Sequence, residues 1–200
     1  MIYGIKIFIN MYQPIVILII YVIYYWYNYD NMTFLKSNID NKYYMVRNLP
    51  DKNTACDMLA TLRKNILKLK QELISKKNDE YLSYKEYIEQ LANRVNDVTI
   101  SENNNKDNTT SYSVNKGEEL IVCLRSKKEI NKFHDMNTLM YVVLHEISHI
   151  ACPEYNHTAL FKKIFAFFTE VAVKLNIYQK VNYEASPVEY CGIYITDSIV

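Results

Sequence analysis

Of everything in the sequence, the pentad His145–Glu146–Ile147–Ser148–His149 leaves the least freedom. It sits in an apolar run (Leu139, Val142, Val143, Ile147, Ile150) whose spacing predicts an amphipathic helix over 138–150, with Asp135 or Asn137 as its cap. Residues four apart on a helix return to nearly the same face, so His145 and His149 can present two imidazoles to one ion. Glu146 lies about 100° round the axis and can approach a water there without taking a coordination position. With 4 His in 200 residues, such a match arises by chance on the order of 0.005 times per chain. Zinc suits imidazole, and a catalytic zinc needs three protein ligands and one open position. The bland alternative is a helix with two surface histidines and an acid between them.

The third ligand has to come from elsewhere. His157 follows His149 beyond Pro153 and a turn, at the mouth of a second predicted helix over 158–175 with Leu160, Phe161, Ile164, Phe165, Phe168, Val171, Ala172 and Leu175 as its apolar positions. A tight pairing of the two helices returns His157 to the pentad. Glu170 is the competitor, as a carboxylate from the downstream helix, but Phe168, Val171 and Ala172 around it fit ordinary exposure equally well. His157 is preferred. His134 suits a cap or loop role. Cys152 is read as a packed thiol, against the alternatives of a redox-sensitive neighbour or a fourth ligand that closes the site.

Elsewhere, Leu59, Leu62, Ile66, Leu69 and Leu73 step by three and four, predicting a helix after Pro50 capped by Asn53 or Thr54. Its other faces carry Arg63, Lys64, Lys68, Lys70, Lys76 and Lys77 against Glu72, a solvated face more readily than a phosphate or anionic-lipid contact. Ser83 and Glu86 form a capping box for a further helix with Tyr84, Ile88, Leu91, Val95 and Val98 on its inner face. The polar stretch 101–110 reads as a loop. Residues 111–114 and 119–124, separated by Asn115–Lys116–Gly117, read as a hairpin. Both faces of its second strand are apolar, so that strand is expected to be covered on two sides. The fold class is α+β: a mainly helical domain with a small hairpin or sheet beside the motif helix.

The first thirty residues differ in kind. No charge occurs from Ile7 to Tyr29, and as a helix Ile7–Tyr27 would span roughly 31 Å, close to a bilayer core. Aromatic residues crowd its C-terminal end, and no small-residue cleavage site follows. The expected organisation is a transmembrane anchor over 1–30, a linker over 31–50 and a domain over 51–200, giving a single-pass membrane protein. Net charge is +1, from 23 Lys+Arg against 22 Asp+Glu, which removes any whole-chain argument for nucleic-acid binding. Four Cys are too few for a disulfide scaffold, and whether they form two disulfides is not legible. Of the Asn-x-Thr sequons at Asn31, Asn108 and Asn156, the last lies within the candidate site. A glycan there would obstruct it, which favours a cytosolic-facing domain.

The segment HEISHIACPEYNHTALF, with the preceding TSYSVNKGEELIVCLR, resembles the active-site region of WLM and SprT-like zinc metallopeptidases, compact members of the zincin group. The wider pattern, including VRNLPDKNTACDML and the closing EYCG, resembles uncharacterised WLM-like proteins of giant DNA viruses. The resemblance covers roughly 111–170. It departs from the families in a step from His149 to His157 two residues longer than usual and in the lack of Gly from that loop. It implies a zincin-like domain that binds Zn2+ through His145, His149 and His157, with Glu146 as general base, hydrolysing peptide bonds of a protein or peptide substrate through a metal-activated water. It further implies that Glu119–Arg125 aligns the substrate as an added strand, and that Tyr190 or Tyr155 donates to the oxyanion. Two other readings stand beside it: an inactive structural or virion membrane protein that keeps the zinc site for folding, and a DNA-associated protease of the crosslink-repair type.

Overall fold

The leucine stripe is buried along α2 (Lys52–Lys76), where Leu59, Leu62, Leu69 and Leu73 have no exposed surface. The computed structural model describes residues 13–24, 32–95, 99–104, 109–129 and 132–200. Helix α2 starts two or three residues earlier than its expected caps, after Asp51, whose side chain makes no capping bond. That carboxylate is committed instead to Arg125 Nη1 at 2.5 Å. Several basic residues of α2 are engaged within the fold: Lys70 donates to Val95 O at 2.5 Å, and Lys76 and Lys77 pair with Glu72, Glu80 and Glu89 at 2.9 Å.

Two expectations for the N-terminal region are corrected. Residues 13–24 form a helix, α1, whose side chains are all exposed. At 1.5 Å per residue this described stretch spans about 18 Å against the ~30 Å of a bilayer core. Among the described residues no helix is long and apolar enough to cross a membrane. The transmembrane anchor and the single-pass localisation are therefore not supported, and the assignment of a cytosolic-facing side loses its basis. The remaining parts of the uncharged run, 7–12 and 25–29, lie outside the described residues. Residues expected as linker instead form an antiparallel hairpin, β1 (Met32–Lys36) with β2 (Tyr43–Arg47), in the register Thr33↔Val46 and Leu35↔Tyr44. Tyr44 and Val46 are buried, and the turn is tied down on Asp57 of α2 by Ser37 Oγ at 2.6 Å and the Asn38 amide at 3.0 Å. The Asn- and Asp-rich turn between the strands hid their short alternation.

A 3₁₀ turn (Leu82–Tyr84) leads into α3 (Lys85–Arg94), which buries Ile88 and Leu91; Val98 lies outside the described residues. Next comes a strand, β3 (Thr99–Glu102), whose second half was expected as loop. It pairs in parallel with β5 (Glu119–Val122), whose other edge pairs antiparallel with β4 (Tyr112–Val114), giving the order β3-β5-β4. The motif helix is α4 (Met136–Ala151), capped by Asp135 through the Thr138 amide at 2.9 Å. Helix α5 (Ala159–Lys174) is capped by Thr158 through the Phe161 amide at 3.3 Å. The chain closes with β6 (Val188–Tyr190) and β7 (Ile193–Ile195), an antiparallel pair. One core joins these layers: Leu139, Val143 and Ile147 of α4, Ile164 and Phe168 of α5 and the α2 stripe are all at most 1% exposed. Buried Arg125 ties the sheet to the start of α2 through Glu102 at 2.8 Å and Asp51 at 2.5 Å, with its guanidinium over Phe133. Cys123 and Cys191 form a disulfide, while Cys56 and Cys152 are free and buried.

Candidate metal centre

Helix α4 delivers His145 and His149 to one side, and its last carbonyls are held from α3, where Gln90 Nε2 and Arg94 Nη1 both donate to Ile150 O at 3.1 and 3.0 Å. The chain then leaves the helix at Cys152 and turns through Asn156, which has a left-handed φ of 67°. An Asn tolerates that conformation better than most residues. His157 follows, one residue before the Thr158 cap that starts α5. This short path returns His157 to the face of α4.

The three Nε2 atoms form a nearly equilateral triangle, with 3.1 Å between His145 and His149, 3.2 Å between His149 and His157, and 3.0 Å between His157 and His145. Phe161, one turn into α5, supports all three rings: it stacks on His149 at 4.0 Å and meets His145 and His157 edge-on at 5.0 and 5.1 Å. Phe165 meets His145 edge-on at 5.3 Å. Burial and the other two imidazoles push His145 down to about 3. Burial, His157 and Lys116 push His149 down to about 4. Both rings are therefore neutral at pH 7. Three imidazole ring nitrogens converging at these separations form a donor set that suits a cation. Zinc–nitrogen bonds of about 2.0–2.1 Å in a tetrahedral arrangement put donors about 3.3–3.4 Å apart, so the triangle fits that ion with little adjustment.

Glu146 lies beside the triangle and is pushed up to about 8 by burial, opposed by a hydrogen bond from the Ser113 backbone. The turn after β4 is pressed onto α4 at Gly117, where φ is 120° and a Cβ would come within 3.1 Å of Ile150 Cγ2 and 3.3 Å of the Arg94 backbone. A side chain there would push the β4–β5 hairpin off the motif helix. A cleft of about 700 Å³ opens over His145, Glu146 and His157, with Phe165 on its α5 side and Tyr190, Ile195 and Ile199 on its C-terminal side.

Sequence reasoning placed residues unevenly here. His145, His149 and His157 are brought together. Glu170 is exposed on α5 on the side of Tyr84, and neither it nor Cys152 joins the converging group among the described residues. Cys152 is fully buried. His134 accepts the Cys191 amide on Nε2 at 3.1 Å. Of the two tyrosines, Tyr190 is 2% exposed and lines the cleft, whereas Tyr155 is 75% exposed under Lys116 Nζ at 4.1 Å. The expected substrate-aligning segment is corrected. Residues 119–122 are the central strand β5, paired on both edges, and the strand next to Glu146 is β4. Missed altogether were Ser111, whose Oγ bonds Tyr190 Oη and accepts the Cys123 amide at 2.9 Å, and the C-terminal wall; the only signal for the wall was the apolar run Ile193–Tyr194–Ile195 after Gly192.

No family model matches this chain. The crystal structure of Wss1 from Saccharomyces cerevisiae aligns with TM-score 0.48 and 16% identity, covering 66% of this chain and 87% of Wss1. The uncharacterised protein 136R of Invertebrate iridescent virus 6 is 29% identical over 113 residues, 56% of this chain and 63% of that protein. At 44% identity over 168 residues, 84% of each chain, the protein belongs to the same family as the uncharacterised protein R325 of Acanthamoeba polyphaga mimivirus.

Proposed function

We propose that the protein is a WLM-like zinc-dependent peptidase in which His145, His149 and His157 hold the metal and Glu146 is the general base. One observation carries this reading: three imidazole nitrogens within 3.2 Å of one another, beside a carboxylate, under an open cleft. Zinc held there would polarise a carbonyl as a Lewis acid and lower the pKa of a bound water toward about 7. A cation in the triangle would favour the carboxylate form of Glu146 against the burial that raises it, and Glu146, oriented by the Ser113 backbone, then takes the proton from the attacking water and passes it to the leaving amine. The edge of β4 not paired with β5 serves as the template along which an extended peptide lies as an added strand. Ser111 Oγ accepts the Cys123 amide, so its own proton is available to Tyr190 Oη. That leaves the phenol proton for an oxyanion in the cleft. Tyr141, Phe165, Ile195 and Ile199 make the adjoining wall apolar, which favours a bulky apolar substrate side chain there.

The inactive structural alternative gains nothing from the thiol beside the motif, since Cys152 stays packed in the core. The deciding experiment is Glu146→Gln, assayed on zinc-loaded protein with denatured proteins as substrate. Cleavage should fall by about 10³-fold or more with zinc binding retained. Equal cleavage by both proteins, or none by wild type under any condition, overturns the reading.

A further inference from the structure

The C-terminal wall of the cleft is attached to the rest of the fold in an unusual way. Strands β6 and β7 pair with each other and, among the described residues, with no other strand, so no ladder ties them to the central sheet. At the near end the ties include the Cys123–Cys191 disulfide, the hydroxyl bond between Tyr190 and Ser111, the Cys191 amide on His134, a hydrogen bond between Glu189 and Ser126, and Lys128 Nζ over the Tyr194 ring. At the far end Tyr141 Oη donates to Asp197 O at 2.9 Å and the Tyr183 amide donates to Ser198 Oγ at 2.7 Å. Between them, Cys191 and Gly192 turn the chain with φ values of 49° and 88°. A non-glycine residue in that region is held there by its surroundings. Both halves of the disulfide also bear on Ser111, since the Cys123 amide donates to the same Oγ that bonds Tyr190.

We propose that the Cys123–Cys191 disulfide is a redox latch: it seats the C-terminal wall against the cleft in the oxidised chain, and its reduction by a dithiol releases that wall. The latch itself stands on the attachment of β6 and β7; only its effect on catalysis rests on the peptidase reading. A thiolate of the dithiol attacks one sulfur and forms a mixed disulfide. The second thiol of the reductant resolves it, so the reductant leaves as a cyclic disulfide and Cys123 and Cys191 leave as two thiols, having taken up two electrons and two protons. Both cysteines are at most 4% exposed, so attack follows a local opening of the wall, and reduction then keeps it open. Tyr190 is adjacent to Cys191 and withdraws with it. Cys56 and Cys152 are free, buried thiols and not part of this tie.

The test is amide hydrogen exchange on the full-length zinc-loaded protein, oxidised and after dithiothreitol, with bound zinc and peptide cleavage measured on the same samples. Amides in 188–199 should exchange about tenfold faster after reduction. Cleavage should drop by about tenfold with zinc retained. The double variant Cys123→Ala/Cys191→Ala should behave as the reduced protein without dithiothreitol and not respond to it. Should that variant fail to fold, Cys56→Ala/Cys152→Ala, which retains the latch, must still show the full response. Unchanged exchange in 188–199 on reduction, or an equal dithiothreitol effect in the double variant, overturns the latch. If exchange responds but no form cleaves peptide, the latch stands and the peptidase reading falls.

Discussion

A histidine's neighbours decide whether it is a ligand or a strut, and both outcomes occur within this chain. His145, His149 and His157 face one another across 3.0–3.2 Å, where a shared cation is the natural partner. His134 instead uses Nε2 to accept the Cys191 amide at 3.1 Å, and burial holds it below the ordinary imidazole range near 6.5, against the pull of Glu189 and Asp135 and with a smaller push from Lys132. Protonation would place a proton on the accepting nitrogen and break that bond. The unfolded chain binds a proton at His134 more readily than the folded one, so stability rises with pH there. The contribution is complete above about pH 6.5 and is lost as pH falls from there through the depressed folded value. His134→Gln should therefore show a shallower fall in melting temperature below pH 6.5 than wild type, read as the difference between the two curves so that contributions common to both cancel. Parallel curves would remove His134 from the acid response. The pentad was legible because its residues share one helix face at a fixed step. The pairing of Ser111 with Tyr190 was not, because the two meet only when segments 79 residues apart are brought together.

Elements with a strong internal period were legible, and those without were not. The α2 stripe and the inner faces of α4 and α5 emerge as read, since burial of one face sets their spacing. The second half of β3, Ser101 and Glu102, reads as loop because a polar pair gives no strand signal, and the burial of Glu102 is explained by Arg125 and the Arg47 amide, both distant in sequence. The central position of β5 depends on that missed partner, and with it the choice of β4 as the exposed edge. The element boundary that matters most for the site is the start of α5. The Thr158 side chain accepts the Phe161 amide there, fixing both the residue after His157 and the ring that supports all three imidazoles. Thr158→Ala should cost about 1 kcal/mol and weaken zinc affinity, whereas Thr158→Ser should restore both. A melting curve with a zinc titration checks this. An alanine variant with unaltered zinc affinity would mean the cap does not position His157.

At the scale of the whole molecule, the candidate ligands come from a helix and from the loop leading into the next, so an ion bound between them closes α4 onto the start of α5. Such an ion binds the folded chain and finds no assembled site in the unfolded one, so its binding free energy appears as stability. With free zinc at 1,000 times the dissociation constant the gain is about 4 kcal/mol. For a chain of this length each kcal/mol is worth about 2–4 °C, so chelation should lower the melting temperature by roughly 8–16 °C. The ligand set makes the prediction sharper, because it concerns which variants lose the response and not merely that stability falls. His157→Ala should melt at nearly the same temperature with and without chelator, while Glu170→Ala, altered at an exposed position on α5, should keep the full shift. The reverse pattern would move the third ligand to α5. A wild-type melting temperature indifferent to chelator would mean that the triangle of imidazoles holds no ion in the folded protein, and the chemistry proposed for Glu146 would then have no metal to act beside.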